Sequence, residues 1–225
     1  MLLPDERRAL AEAGRWVASR GLVVGTAGNL STRADEHIVV TPMGGVLGEL
    51  TPEMMSVVDP KGTRLDGDLA PTSELPLHLL IYGTTDAQGV AHVHAPASTA
   101  VACTHDELPA VHYTILELGG AIRVAPYATF GSDELAANVT SALRGRVAAL
   151  MENHGSVAYG KDIAQACSRI DLLEWHAELY VRCLAVGTPR VLSGGQLEAV
   201  VMAALDKGYG VRDAAAGRPR RTGGA

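Results

Sequence analysis

His92 and His94 are separated by one residue in an alternating apolar stretch, Val90-Ala-His-Val-His94. In an extended strand this spacing puts both rings on one face, Ala91 and Val93 on the other, and the two Cα atoms about 6.6 Å apart. Both ring nitrogens can then reach one ion at the ~2.0 to 2.1 Å that zinc prefers. An isolated His-x-His is more often two half-exposed strand histidines than a site, so the pair needs support. His154 supplies some, because it closes another apolar run, Val147 to Glu152, and Gly155 follows it where a cleft can open at a strand edge. Glu74, beside an expected helix start, adds a carboxylate. Imidazoles and a carboxylate together suit a borderline divalent ion, zinc first, with manganese, cobalt and iron left open by composition. His37, His105, His112 and His176 are expected to be surface or hydrogen-bonded core rings. His78 is assigned the same way, although it lies four residues after Glu74 on one helical face and the two could bind together.

A second chemistry is written in three segments of small residues. Gly25-Thr-Ala-Gly-Asn-Leu-Ser31 offers backbone N–H groups, hydroxyls and an amide, with no cationic side chain before Arg33. Such a loop holds an anion by fixed dipoles, although a lone Gly-rich loop is more often a plain turn. Thr41-Pro-Met-Gly44 and Pro71-Thr-Ser-Glu74 repeat the pattern, the latter at a helix N-terminus that favours an anion by up to about 1 kcal/mol.

Regular elements must position these groups. Leu10, Ala13, Trp16 and Val17 fall on one face of an amphipathic helix from Pro4 to Arg20, ended by Gly21. The 25–31 segment reads as a loop, followed by a β-branched strand from His37 to Thr41. Thr51-Pro-Glu reads as a helix start, Ser56 to Asp59 as a strand, and Ser73 as the cap of a helix from about Glu74 to Tyr82. Val90 to His94 and Val147 to Glu152 read as strands. Ser98 to His105, Ser132 to Arg144, Asp162 to Val186 and about Gly195 to Leu205 read as helices. Alternating strands and helices without a clean βαβ repeat predict an α/β fold, a three-layer αβα sandwich around a largely antiparallel or mixed sheet. Residues 1–213 are expected to form one domain and 214–225 a disordered tail.

The chain has 225 residues, 47% of them hydrophobic, and a formal net charge of -6, which gives no field to gather a nucleic-acid backbone. Cys103, Cys167 and Cys183 are odd in number and widely spaced, so packed thiols in a reducing cytoplasm are expected. No apolar run approaches a membrane span and the first residues lack signal-peptide order, so no membrane partner is expected.

Taken together, GTAGNLS (25–31), TPMG (41–44), PTSE (71–74), AHVHAP (91–96), PAVHYTI (109–115), APYATFGSDELA (125–136), ENHG (152–155) and KGYGVRD (207–213) resemble the class II aldolase/adducin family across essentially the whole chain. The resemblance implies one zinc ion per subunit on His92, His94 and His154, with Glu74 alternating between metal ligand and catalytic carboxylate. It implies a substrate phosphate held at Gly28, Asn29, Gly44, Thr72 and Ser73, with Met43 contributing through its backbone where many relatives carry a serine. It also implies Tyr113 at the aldehyde oxygen, Tyr209 closing over the site from the tail, Phe130 as an apolar wall, and a homotetramer with sites near subunit boundaries. The implied activity is reversible cleavage of a ketose 1-phosphate, such as L-fuculose 1-phosphate, into dihydroxyacetone phosphate and a short aldehyde such as L-lactaldehyde. The same family includes pentulose-phosphate 4-epimerases, methylthioribulose-1-phosphate dehydratases and adducin-like binding proteins that lack the metal site.

Overall fold

The computed structural model describes residues 1–208. Its strands are β1 (Asn29–Ala34), β2 (His37–Val40), β3 (Ser56–Val58), β4 (Arg64–Asp66), β5 (Gly89–Val93), β6 (Glu107–Leu108), β7 (Ile122–Ala125), β8 (Ala148–Met151) and β9 (Gly155–Gly160). Its helices are α1 (Pro4–Ser19), α2 (Leu75–Thr84), α3 (Pro96–Ala102), α4 (Asp133–Ala142), α5 (Ile163–Val186) and α6 (Gly194–Asp206). One nine-stranded sheet runs in the order β4-β3-β2-β1-β5-β9-β8-β7-β6. Every pairing is antiparallel except β7 with β8.

Strand alternation divides the apolar side chains between two cores. Val39, Val57, Ala91, Val93 and Ala158 join residues of α1, α3 and α5 on one face. Ile38, Val40, Val58, Val90 and Val157 join residues of α2 and α4 on the other. A sheet covered on both faces by helices is the predicted αβα sandwich. His92 shares the parity of Val90, so β5 presents it to the α2–α4 layer, where Glu74 also lies.

Several local expectations change. Asn29, Leu30 and Ser31 are strand, not loop, because β1 pairs with β2 on one side and β5 on the other, opposing Asn29 to His92. Their polarity is accommodated by a buried hydrogen-bond network described below. Ser73 does not cap α2, which begins at Leu75 with Glu74 at the N-cap position and no side-chain capping bond. Instead Thr72 turns the chain, its hydroxyl accepting from the Glu74 N–H at 3.2 Å and its carbonyl from the Leu75 N–H at 3.2 Å. Thr51-Pro-Glu opens only a single 3-10 turn, Pro52–Met54. α3 starts at Pro96, ahead of Ser98, because the buried Glu174 carboxylate accepts from the Ala97 and Ser98 N–H groups at 2.7 and 2.8 Å. Cys103 is exposed, whereas Cys167 is packed and burial pushes its thiol up to about 12. Among the described residues no helix is long and apolar enough to cross a membrane.

Candidate active site

Four side chains from three places in the fold converge where β5 ends. His92 lies in β5 and His94 just beyond it, His154 in the turn between β8 and β9, and Glu74 at the start of α2. One ligand atom from each lies within 4.8 Å of the others. The Nε2 atoms of His92 and His94 are 3.0 Å apart, His92 Nε2 is 3.0 Å from Glu74 Oε2, and His154 Nε2 is 3.5 Å from Glu74 Oε1.

Counting protons shows what this cluster fits. His92 Nδ1 faces the Ser156 carbonyl at 3.0 Å, an acceptor, so Nδ1 carries a proton and donates it. In the neutral ring Nε2 is then a lone pair aimed at a carboxylate oxygen and a second imidazole nitrogen. Burial above all pushes His94 and His154 down to about 4, so both are neutral lone-pair donors at neutral pH. Burial opposes the charge on Glu74, yet His92, Asn29 and His154 outweigh it and hold the carboxyl well below its usual range. Burial likewise opposes charge on His92, but Glu74 raises its pKa. Glu74 Oε1 is buried with no hydrogen-bond partner. Convergent lone pairs around a buried carboxylate are the donor set of a divalent cation, and the groups that orient those donors, the Ser156 carbonyl and the Asn29 amide, are already in place.

The same Glu74, His94 and His154 line a pocket of about 300 Å³ with Gly28, Asn29, Gly44, Thr72, Ser73 and Phe130. Three members of the candidate metal cluster and the small-residue segments 25–31, 41–44 and 71–74 therefore share one cavity, on the scale of a small ligand.

Residues 8–181 match the family described as the Class II Aldolase and Adducin N-terminal domain. The chain belongs to the class II aldolase/adducin family. It is 38% identical over 197 residues to a 5-methylthioribulose-1-phosphate/5-deoxyribulose-1-phosphate aldolase of Rhodospirillum rubrum, covering 87% of this chain and 89% of that protein. It is also 38% identical over 194 residues to the L-fuculose phosphate aldolase of Escherichia coli, covering 85% and 89%. A solved L-fuculose 1-phosphate aldolase superposes with a TM-score of 0.85 at 34% identity, covering 90% of this chain and 96% of that one.

Not every residue matched to the family motifs reaches the pocket. Tyr113 is 51% exposed on the 3-10 turn Tyr113–Leu118, stacked on His112 at 4.6 Å, and lines a separate groove against Val200, Val201 and Leu205 of α6. Met43 is also exposed and does not line the pocket, and its N–H is taken by the Ala70 carbonyl at 2.9 Å. Tyr209 lies outside the described residues, as do residues 210–225. His78 is not one of the converging ligands, contrary to the pairing its spacing allowed; it bonds to Ser31 and Asn29 instead. Tyr127 and Asn153 also line the pocket, and sequence reasoning does not single them out. Tyr127 is visible inside APYATF, but nothing in the sequence fixes the direction of that loop.

Two glycines permit the close approaches on which the site depends. A Cβ on Gly155 would sit 2.5 Å from the Val93 carbonyl oxygen, 2.9 Å from His94 Cδ2 and 3.4 Å from His92 Cε1. Gly131, at φ +74°, lets the Phe130 loop approach so closely that a Cβ there would lie 2.6 Å from the Ser73 carbonyl oxygen. Gly155→Ala is expected to cost about 1 to 3 kcal/mol of stability by overpacking and to lower the affinity of the cluster for an added divalent metal ion by displacing both rings. Thermal unfolding and a competitive zinc titration check this, and unchanged affinity would show that the rings do not depend on that gap.

Proposed function

We propose that the protein is a zinc-dependent aldolase that reversibly cleaves a ketose 1-phosphate into dihydroxyacetone phosphate and a short aldehyde ending in an apolar carbon. The observation that carries this reading is the pocket in which the Glu74/His92/His94/His154 cluster and the Gly28/Gly44/Thr72/Ser73 cradle meet. The named relatives act on 5-methylthioribulose, 5-deoxyribulose or L-fuculose phosphates. All three sugars end in a methyl or methylthio group, and the aldehydes released are methylthioacetaldehyde, acetaldehyde and L-lactaldehyde. Phe130 and Ala128 supply apolar surface to the pocket where such an end can rest.

In cleavage the C3–C4 bond breaks, its electron pair stays with the C1–C3 fragment, and the C4 hydroxyl loses its proton as the aldehyde forms. A divalent cation held by His92, His94 and His154, with Glu74 alternating between ligand and base, would supply positive charge against the negative charge developing on the ketose oxygens. Ser73, its hydroxyl free of any helix cap, and the backbone at Gly28 and Gly44 hold the phosphate by dipoles at the N-terminus of α2. Asn29 gives an amide N–H to Glu74 and lines the same pocket. Glu74 moves the proton at C3, and Oε1, without a hydrogen bond, is the oxygen available for it. Tyr113 handles the proton at the aldehyde oxygen. Because Tyr113 lies outside its own pocket, this reading has a neighbouring copy supply it, together with Tyr209, in a homotetramer.

The test is a panel of ketose 1-phosphates assayed for dihydroxyacetone phosphate. Release from 5-deoxyribulose, 5-methylthioribulose or L-fuculose 1-phosphate, exceeding that from ribulose 1-phosphate with its polar end, is the expected result. Loss of water without carbon–carbon cleavage, or epimerisation without net release, would overturn the reading. Ser73→Ala is expected to raise KM for the phosphorylated ketose about tenfold, the loss of one charge-assisted hydrogen bond of about 1.5 kcal/mol, and to leave an unphosphorylated ketose little affected. Equal losses on both substrates would remove Ser73 from the phosphate cradle.

A further inference from the structure

A chain of buried polar groups runs behind the four-residue cluster, and beyond its first link, Asn29 to Glu74, no step described above uses it. Asn29 Nδ2 donates to Glu74 Oε2 at 2.8 Å, Asn29 Oδ1 meets His78 Nε2 at 2.5 Å, His78 Nδ1 meets Ser31 Oγ at 2.6 Å, and Ser31 Oγ meets the Tyr82 hydroxyl at 2.8 Å. His78 and Ser31 are fully buried, and Asn29 and Tyr82 nearly so.

The direction of every bond follows from its inner end. An ionised carboxylate only accepts, so Asn29 must turn its NH₂ to Glu74 and its carbonyl to His78. His78 Nε2 must therefore carry the proton and Nδ1 must accept, which obliges Ser31 to donate to His78 and Tyr82 to donate to Ser31. Burial pushes His78 down to about 3, so the ring is neutral as this pattern requires, and burial raises the Tyr82 phenol, which keeps its proton. With any other tautomer two acceptors or two donors would face each other in a site sealed from solvent.

We infer that His78 is a positioning residue which, held in the Nε2–H tautomer by Ser31 and Tyr82, locks the Asn29 amide so that Oε2 of Glu74 is anchored and Oε1 is left free. The two carboxylate oxygens then have separate tasks. Without the lock the Asn29 amide can rotate by half a turn and bring its carbonyl against Glu74, which repels the carboxylate from its place beside His92. The inference deepens the aldolase reading and takes the task of Oε1 from it.

Two substitutions separate positioning from packing. His78→Gln keeps an N–H donor directed at Asn29, while His78→Leu fills the space and removes the donor. Zinc affinity measured by competition with a chromophoric chelator is expected to fall about 10- to 100-fold in His78→Leu, the usual effect of losing a group that orients a ligand, and only a few-fold in His78→Gln. With the preferred ketose 1-phosphate, kcat is expected to fall in His78→Leu with little change in KM. Nitrogen-15 NMR of the metal-free wild-type protein is expected to show Nε2 of His78 protonated and Nδ1 bare, a measurement that needs no variant to fold. A protonated Nδ1 in the wild type, wild-type zinc affinity in His78→Leu, or equal losses in both variants would overturn the inference. If the wild type cleaves no ketose phosphate while the tautomer and zinc results hold, the aldolase reading fails and the positioning of Glu74 by His78 stands.

Discussion

Treating the protein with a chelator is expected to abolish cleavage of a ketose 1-phosphate, and added zinc to restore it. The expectation rests on the donors of the Glu74/His92/His94/His154 cluster: His94 and His154 are neutral, and His92 Nε2 is aimed at the Glu74 carboxylate. His92→Ala is the sharpest genetic equivalent, because His92 is fully buried and its ring is fixed by the Ser156 carbonyl. Several kcal/mol of charge stabilisation lost at ~1.36 kcal/mol per decade predicts at least about a 1000-fold fall in kcat/KM. Binding provides a second readout independent of turnover. Zinc at about 1000 times its dissociation constant stabilises the native state by about 4 kcal/mol, so the wild-type melting temperature rises with zinc and that of His92→Ala does not. The ion must also displace the proton that Glu74 favours on His92, so zinc affinity is expected to weaken as pH falls. Full activity in protein shown by elemental analysis to be metal-free would remove the cation from the mechanism.

How much of this is legible in the sequence depends on whether a signal is local. The convergence of His92, His94 and His154 is readable because His-x-His on an alternating strand and a histidine ahead of Gly155 are patterns whose geometry spacing largely dictates. The αβα architecture follows for the same reason, from helix and strand periodicities along the chain. Asn29 and Ser31 read as loop because their polarity is a local signal for exposure, whereas it is His78 and Tyr82, distant in sequence, that satisfy them inside the sheet. The start of α3 escapes sequence reading likewise, since its capping carboxylate, Glu174, comes from α5. Ser73 falls at a helix N-terminus, but local chemistry cannot tell whether its hydroxyl caps the helix or is left for a ligand; the Thr72 turn decides that. The remoteness of Tyr113 from the pocket is beyond any motif match, because a motif carries no information on where the fold places its side chain.

Replacing Glu74 by glutamine is expected to separate metal binding from proton transfer. Three imidazoles remain to hold zinc, and the amide oxygen of the new side chain can still accept from Asn29 if it takes the place of Oε2, so the cluster keeps its shape. What disappears is the cluster's buried carboxylate, and with it the group that can take a proton from C3. Exchange of the C3 proton of dihydroxyacetone phosphate with deuterated solvent, followed by NMR, isolates that step from aldehyde binding and from any contribution of Tyr113. A general acid–base group contributes about 10² to 10⁴ in rate, so exchange in Glu74→Gln is expected to slow by at least about a hundredfold while zinc content stays near one equivalent per chain. Binding of dihydroxyacetone phosphate should persist, because Gly28, Gly44, Thr72 and Ser73 are untouched. Exchange at the wild-type rate in a zinc-loaded variant would show that another group moves the C3 proton and that Glu74 serves as a ligand alone.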